Sequence, residues 1–418
     1  MTSPQPRSFA AFRHPGFRTY FTCSALAMMA DSIEHVISYW IIFQKFHAPA
    51  LGGFAIVSHW LPMLVFGVSM GALADRFDPR RLIQIGMLCF MTASLSWSAL
   101  FMTDSLQMWH AVVILVIHGM GSLFWNTPSQ LLIHDIVGPV QLPSAVRLNA
   151  TGRYLGLLAG PAVGGGILLA LGPAHGLLLN VLIYLPLTLW LWKAPYGPRF
   201  RAGAPAPRGA VRGLADIVLT IRDVSGNRIL ASMIMLAGGY SFLIGNAYQA
   251  QMPEFARDLG HGDAGPLYSM LLAADATGAF IAGMLLETRG LLQPSTRTAF
   301  LLAMLWGCAI GTFAMVKSYP MALLSLFVAG FLELSFSSMA QTLVQIHAPA
   351  QIRGRVIGLY GMGALGLRAF SGVTVGVMGG VLGIHWSLVL SAGVLVAVIT
   401  GLLSFSARPA AVGASSAD

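Results

Sequence analysis

GALADRFDPRRL, residues 71–82, crowds Asp75, Arg76, Asp78, Arg80 and Arg81 together between two apolar runs, 51–74 and 82–103. A membrane-crossing helix needs roughly 20 mostly apolar residues, and each flanking run is that long. The stretch therefore reads as a charged turn between two spans.

The same alternation continues outward through all 418 residues. Apolar runs occupy 17–44, 51–74, 82–103, 106–133, 145–171, 173–193, 227–250, 264–287, 297–316, 319–346, 355–382 and 383–406. The chain is 56% hydrophobic and 9% charged, with a mean hydropathy of +0.73. A soluble chain of this length carries far more charge. The expectation is an all-α membrane protein with twelve transmembrane helices.

The formal charge is +9, and its placement decides what it means. Arg7 and Arg13 precede the first run and Arg18 lies at its start, Arg76, Arg80 and Arg81 follow the second, and Arg147 follows the fourth. Lys193, Arg199, Arg201, Arg208, Arg212, Arg222 and Arg228 cluster after the sixth. Arg289, Arg297, Arg353, Arg355 and Arg408 keep to the same side, while the opposite loops hold Lys45, Arg257 and Lys317. Cytoplasmic loops collect Lys and Arg, so both termini are expected in the cytoplasm of a bacterial inner membrane. The basic excess reads as a topology signal with the lipid bilayer as neighbour, not as a nucleic-acid patch.

Residues 194–226 form a long Pro-, Gly- and Arg-rich connection that divides the spans six and six. The expected organisation is a first bundle at 1–193, a cytoplasmic linker at 194–226, a second bundle at 227–408 and a disordered cytoplasmic tail at 409–418. A short amphipathic helix over 209–223 fits the inner membrane surface. The halves echo one another about 210 residues apart, GALADR (71–76) against GMLLETR (283–289) and LLIHDIVGPVQLPSAVR (131–147) against LVQIHAPAQIRGR (343–355). Such duplication suits a transporter.

Enzymatic readings find no support. GVSMG (67–71) fits a hydrolase pattern, but that pattern works on a strand–turn–helix elbow, and here it lies inside the second span. None of Lys45, Lys193 and Lys317 follows a glycine as a phosphate loop requires. Cys23, Cys89 and Cys308 all fall inside spans and make no ligand-like set, so no metal or other cofactor is expected. The first residues hold no short apolar region ending in a small-residue cleavage site, so no removable signal peptide is expected.

The spacing Gly-x-x-x-Asp-Arg-x-x-x-Arg-Arg over 71–81 resembles the loop signature of the major facilitator superfamily, with Asp78 standing where the family has glycine. The resemblance implies two pseudo-symmetric six-helix bundles around a central cavity. It also implies a cytoplasmic latch made by Gly71, Asp75, Arg76, Arg80 and Arg81, with Asp135 as the arginines' partner and Asp75 suited to a helix N-terminus. GLLAGPAVGG (156–165) is similar to the helix-five motif of the superfamily's proton antiporters, through Gly156, Gly160, Pro161, Gly164 and Gly165. The three glycines at four-residue spacing offer a packing face, and the proline is expected to bend the helix. LPSAVRLN (142–149), QMPEFARDLG (251–260) and RGRVIGLYG (353–361) extend the likeness over nearly the whole chain, closest to the twelve-helix drug and siderophore exporters. One element is missing: where many of these antiporters place an arginine in helix four, this chain has Leu115 ahead of HGMG (118–121).

The buried charges carry the chemistry. In ALAMMADSIEHVISYW (25–40), Ala27, Asp31, Glu34, His35 and Ser38 share one helical face. A charge at the bilayer centre costs about 2.5–3.5 kcal/mol on insertion scales, so this face is expected to look into a hydrated cavity, with Asp31 and Glu34 as proton-coupling or substrate groups. Asp275, about ten residues into the eighth span, is placed near the midplane, either as a proton or substrate group or as a structural hydrogen-bond partner of a neighbouring helix. Glu333 and Arg368 read either as an ion pair that stabilises the second bundle or as direct substrate contacts. Arg153 reaches either the cavity or helix-four carbonyls. His59 and His118 read as hydrogen-bonding histidines satisfied within the fold. Trp40, Trp60, Trp125 and Tyr248 either line a pocket or pack. Together these residues suggest a secondary active transporter, a proton-coupled antiporter that exports a small amphipathic molecule such as a drug or siderophore. Import of a metabolite or siderophore by proton symport is the alternative, and a monomer is the family expectation.

Overall fold

The computed structural model describes residues 8–46, 49–200, 213–245, 247–260, 266–289, 293–371, 375 and 378–407. Three helices open the fold: α1 (Pro15–Phe46), α2 (Pro49–Arg76) and α3 (Pro79–Met102). The turn between α2 and α3 is set by Asp78, whose carboxylate accepts the Arg80 N–H and caps α3 while Pro79 takes the first helical position.

Next comes an 86-residue helical run, Met108–Lys193, whose backbone breaks at Gly138 (φ 67°) and Gly172 (φ 71°). Glycine tolerates that left-handed geometry without a side-chain penalty, and each break is followed by a proline that starts the next helix. The run therefore makes three crossings, α4 (108–137), α5 (139–171) and α6 (173–193). The expected loop over 134–144 is thus replaced by a hinge at one glycine, and α5 begins before residue 145.

The second half follows with α7 (Leu214–Ser225), α8 (Arg228–Leu243), α9 (Ala247–Ala250), α10 (Met252–Asp258) and α11 (Pro266–Arg289). Then come α12 (Thr296–Met315), α13 (Tyr319–His347), α14 (Arg353–Gly361), α15 (Arg368–Ser371), α16 (Met378–Leu382) and α17 (Ile384–Ala407). α7 covers most of the expected amphipathic helix and runs two residues past its end; the proposed start over 209–212 falls outside the described residues, as does the tail at 409–418. The eleventh span departs from the continuous helix expected over 355–382. A π turn at Met362–Gly366 separates α14 from α15, in a glycine-rich segment where helix propensity is weak.

Eight of the described helices are long and apolar enough to cross a membrane. One of them is the 86-residue run, which counts three times; α1 and the broken eleventh span complete twelve. The result is an all-α fold of twelve spans in two bundles. Phe17, Tyr20, Phe90, Trp97 and Tyr184 fill the first bundle, and Phe300, Trp306, Phe313 and Phe336 the second. Large apolar side chains such as Leu169, Leu182, Leu189 and Leu305 are exposed, where lipid solvates them at no cost.

The bundles meet where side chains are absent. On α2 and α14, a Cβ added to Gly71 would run into the Gly354 carbonyl, and one on Gly358 into the Gly67 carbonyl. On α11, a Cβ at Gly283 would strike Thr151 of α5. Close backbone approach of this kind holds membrane helices together through dispersion rather than the hydrophobic effect.

Candidate functional site

Between the bundles lies a cavity of about 180 Å³, with walls that include Met63, Asn126, Arg153, Tyr240, Glu333 and Arg368. Glu333 and Arg368 approach to 3.8 Å, loose for an ion pair. Arg368 also donates to the Ala364 carbonyl at 3.1 Å and to the Tyr240 hydroxyl at 3.4 Å. Its guanidinium lies 5.5 Å from the ring centre of Trp60 on the opposite bundle, within cation–π range. The π turn just before Arg368 aims this side chain across the cavity. Both readings of the pair thus meet in one place: Glu333 and Arg368 contact each other and line the cavity, as does Arg153.

Asp275 sits behind that wall. The Tyr248 hydroxyl donates to its Oδ2 at 3.2 Å, and the Gln249 amide donates to the same oxygen at 3.1 Å. Gln249 itself lines the cavity. The other oxygen, Oδ1, is buried without a hydrogen bond. Among the described residues no Lys, Arg or His forms an ion pair with this carboxylate.

The first bundle groups its charges differently. His118 of α4 stands between two acids of α1, its Nε2 3.0 Å from Asp31 Oδ1 and its Nδ1 2.8 Å from Glu34 Oε1. Ser94 of α3 donates to Glu34 Oε2 at 2.5 Å, and Asn180 of α6 donates to Ser94 at 3.2 Å and to the Ala30 carbonyl at 3.0 Å. His35 Nδ1 is 2.7 Å from the Asp31 carbonyl. His35, His59 and His118 have ring centres 4.8–5.5 Å apart. The shared face predicted for α1 is therefore turned into the bundle, toward α4. His118, expected as a hydrogen-bonding histidine, reaches both acids at once. Ser94 and Asn180 were missed, since the sequence held no signal for them.

At the Arg-rich end, Asp75 accepts the backbone N–H groups of Gly354 at 2.6 Å and Arg355 at 3.1 Å. One bundle's carboxylate thus caps the N-terminus of α14 in the other. Glu287 mirrors it on α11, taking Arg147 at 2.8 and 3.0 Å together with the Ser144 hydroxyl. Arg355 adds a 3.3 Å ion pair to Asp216 of α7, and Gln345 donates to Gln130 at 2.8 Å. The GALADR/GMLLETR echo was the signal that could have named Glu287 in advance. The expected arginine pairing with Asp135 needs correction for two members. Arg80 is held by Asp78, at 2.6–3.1 Å, and by the Ala194 carbonyl. Arg81 reaches Gln84 at 2.8 Å and covers Trp192, while Arg76 is exposed. Asp78 wins Arg80 because it sits two residues away and already caps the same helix.

In α5, Gly156, Gly160 and Gly164 face Met28, Ser32 and Ile33 of α1 in turn. Gly165 has nothing near its Cβ position, and Pro161 is exposed, so these two lie off the packing face. The backbone keeps helical angles through Pro161; the breaks fall at Gly138 and Gly172. Trp125 is core, Tyr248 serves Asp275, and the Trp40 side chain lies outside the described residues.

Residues 6–416 match the family described as transmembrane secretion effector. The chain is 24% identical over 361 residues to the enterobactin exporter EntS of Citrobacter koseri, a match covering 83% of this chain and 81% of that one. The same protein from Shigella boydii serotype 4 gives equal figures. Among solved structures, the human organic anion transporter MFSD10 superposes with a TM-score of 0.75 at 15% identity, covering 93% of this chain and all of that one. The fucose:proton symporter FucP of E. coli gives 0.75 at 14%, covering 94% and 98%. At such identities the structures share a fold. These matches identify a multi-pass membrane protein that moves a small molecule by secondary active transport and is not an enzyme. The chain belongs to the transmembrane secretion effector family of the major facilitator superfamily.

Proposed function

We propose that this transporter exports a small amphipathic molecule, of the drug or siderophore kind, in exchange for protons entering across a bacterial inner membrane with both termini cytoplasmic. The observation that carries the reading is Asp275: a buried carboxylate met by neutral donors, with one oxygen unpartnered, directly behind the cavity wall. Protonation there removes a charge that only an open, wet cavity solvates well. A ligand drives a conformational cycle only through unequal affinity for the two states, and a proton on Asp275 meets that condition. Arg153, Glu333 and Arg368 give the cargo site both signs of charge beside the apolar surface of Met63 and Tyr240, which suits an amphipathic cargo. Asp31 and Glu34 already share the His118 imidazole and act as a compensated cluster instead. Asp75 and Glu287 close the Arg-rich end and release it in the other half of the cycle.

Export is favoured by the glycine face of α5 on α1, by the secretion named in the family description, and by the exporters among its relatives. The test compares small molecules inside and outside cells that lack the gene and cells with it restored, in iron-poor and iron-rich medium. The expected result is a compound retained by the deletion strain and released on restoration, with Asp275→Asn unable to restore release. A compound that stays outside only in the deletion strain would make the protein an importer.

A further inference from the structure

The Asp31–His118 contact holds an unspent capacity. His59 Nδ1 is buried without a hydrogen-bond partner, and Asp31 Oδ1 and His118 Nε2, 3.0 Å apart, miss hydrogen-bond geometry with each other and find no other partner. Asp31 and His118 are themselves more than nine-tenths buried, at 8% and 5% exposed. Such orphaned polar atoms are rare, and these belong to one group of side chains. One donor atom from each of His35, His59 and His118 lies within 4.8 Å of the others, and Asp31 Oδ1 is 3.0 Å from His118 Nε2.

In two of these rings, His118 and His35, the second nitrogen is engaged as that of a ligand histidine is. A metal-bound histidine almost always gives its other N–H to a carboxylate or a backbone carbonyl, which fixes the tautomer. His118 Nδ1 is 2.8 Å from Glu34, and Glu34 is itself held by Ser94. His35 Nδ1 is 2.7 Å from the Asp31 carbonyl, which leaves its Nε2 as a lone pair. Charge points the same way: Asp31 and Glu34 together balance one dication, which would displace any proton that His118 shares with them.

We propose that His35, His59, His118 and Asp31 form a transition-metal site inside the first bundle, taking a divalent ion of the zinc class, with Glu34 orienting His118. Three imidazoles and one carboxylate select Zn²⁺, Co²⁺, Ni²⁺ or Cu²⁺ over Mg²⁺ and Ca²⁺, which prefer all-oxygen ligands. Zn–N bonds of about 2.0–2.1 Å place ligand atoms roughly 3.4 Å apart in a tetrahedron, so the ion draws the three rings together. It thereby ties α2, through His59, to α1 and α4. His59 also meets Trp60 edge to face, with ring centres 4.6 Å apart, and Trp60 faces Arg368 across the cavity. The site is independent of the transport reading, since ion binding is measured without cargo.

The experiment uses tag-free, full-length protein in lipid nanodiscs, stripped with chelator and dialysed against Zn²⁺, with bound metal counted by mass spectrometry. About one zinc per chain is expected, undisturbed by excess Mg²⁺. The paired variant His35→Ala/His59→Ala should lose that zinc, and Glu34→Gln should weaken binding by about 10–100-fold while leaving every ligand in place. Co²⁺ should give the intense visible absorption of a tetrahedral site. Equal zinc on the wild type and the paired variant, no zinc on a monodisperse wild type, or a weak octahedral Co²⁺ spectrum would each overturn the site. Size-exclusion profiles separate a lost ligand from a lost fold.

Discussion

Asp31 and Glu34 in the first bundle stand 3.0 and 2.8 Å from the two nitrogens of a single imidazole. In the second bundle Asp275 receives a tyrosine hydroxyl and a carboxamide, while the ion pair on the cavity wall, Glu333 with Arg368, is stretched to 3.8 Å. Two halves of one duplicated architecture therefore treat buried charge in opposite ways. A compensated cluster binds helices together, because losing one partner strands the others in a dry interior. An acid among neutral donors is less committed, and its charge can change as the cavity opens and closes. Both arrangements begin with carboxylates in apolar helices; what separates Asp31 and Glu34 from Asp275 is that a basic side chain reaches them from a neighbouring helix.

The sharpest way to break this comparison is Asp275→Asn. It should reduce proton-driven transport to background in proteoliposomes, whereas Asp31→Asn should keep transport measurable. A reversal of that order would move the coupling site to the first bundle. Next in size is His118→Ala, which leaves two acids facing each other. Removing one partner from a buried pair costs about 3–5 kcal/mol, so a large drop in unfolding temperature is expected. Glu333→Gln, in the loosely paired bundle, should cost much less.

The two acids that bridge the bundles extend the test. Glu287→Ala strands Arg147, whose side chain is 13% exposed, and should cost about 3 kcal/mol. Asp75→Ala loses a helix cap at about 1 kcal/mol, while Asp75→Asn keeps most of it. Both alanine variants should also raise labelling of a cysteine placed in the cavity from the Arg-rich end. Within α5, Gly160→Ala pushes into Ser32 and should cost about 1–3 kcal/mol. Gly165→Ala meets nothing and should be neutral or stabilising by up to about 1 kcal/mol.

The smallest effect belongs to Asp104, in the turn after α3. Lys45, 2.6 Å away, holds its carboxyl below the ordinary carboxylate range by hydrogen bond and charge. A depressed carboxylate stabilises the fold above its unfolded value and loses that contribution as the pH falls through the folded one. The Asp104 side chain is 94% exposed, so water screens the pair. Asp104→Asn should leave the unfolding temperature unchanged at neutral pH.

The fold was legible because lipid demands it: backbone polar groups must be satisfied within each span, so spans announce themselves as apolar runs. The hinge at Gly138 was not, because one glycine can turn a chain that otherwise stays helical. Nor was the π turn before Arg368, where weak propensity tells of tolerance but not of shape. The acids were visible one at a time, since each is expensive in its own helix. Their partners were hidden because His118, Ser94 and Asn180 reach Glu34, directly or in relay, from three other helices, and sequence spacing reports on one helix at a time. Asp78 shows the converse. This departure from the family spacing was visible, and its consequence, the capture of Arg80, followed from two residues of separation.

Trp60 and Arg368 give the molecule an optical gauge. The indole belongs to α2 and the guanidinium to the opposite bundle, and they face each other at 5.5 Å over the cavity. Indole emission responds to nearby positive charge and to water, so parting the bundles should change the colour and intensity of this one fluorophore. The difference between the wild-type spectrum and that of Trp60→Phe would then follow the opening of the cavity in real time, with no dye attached and before any cargo is known.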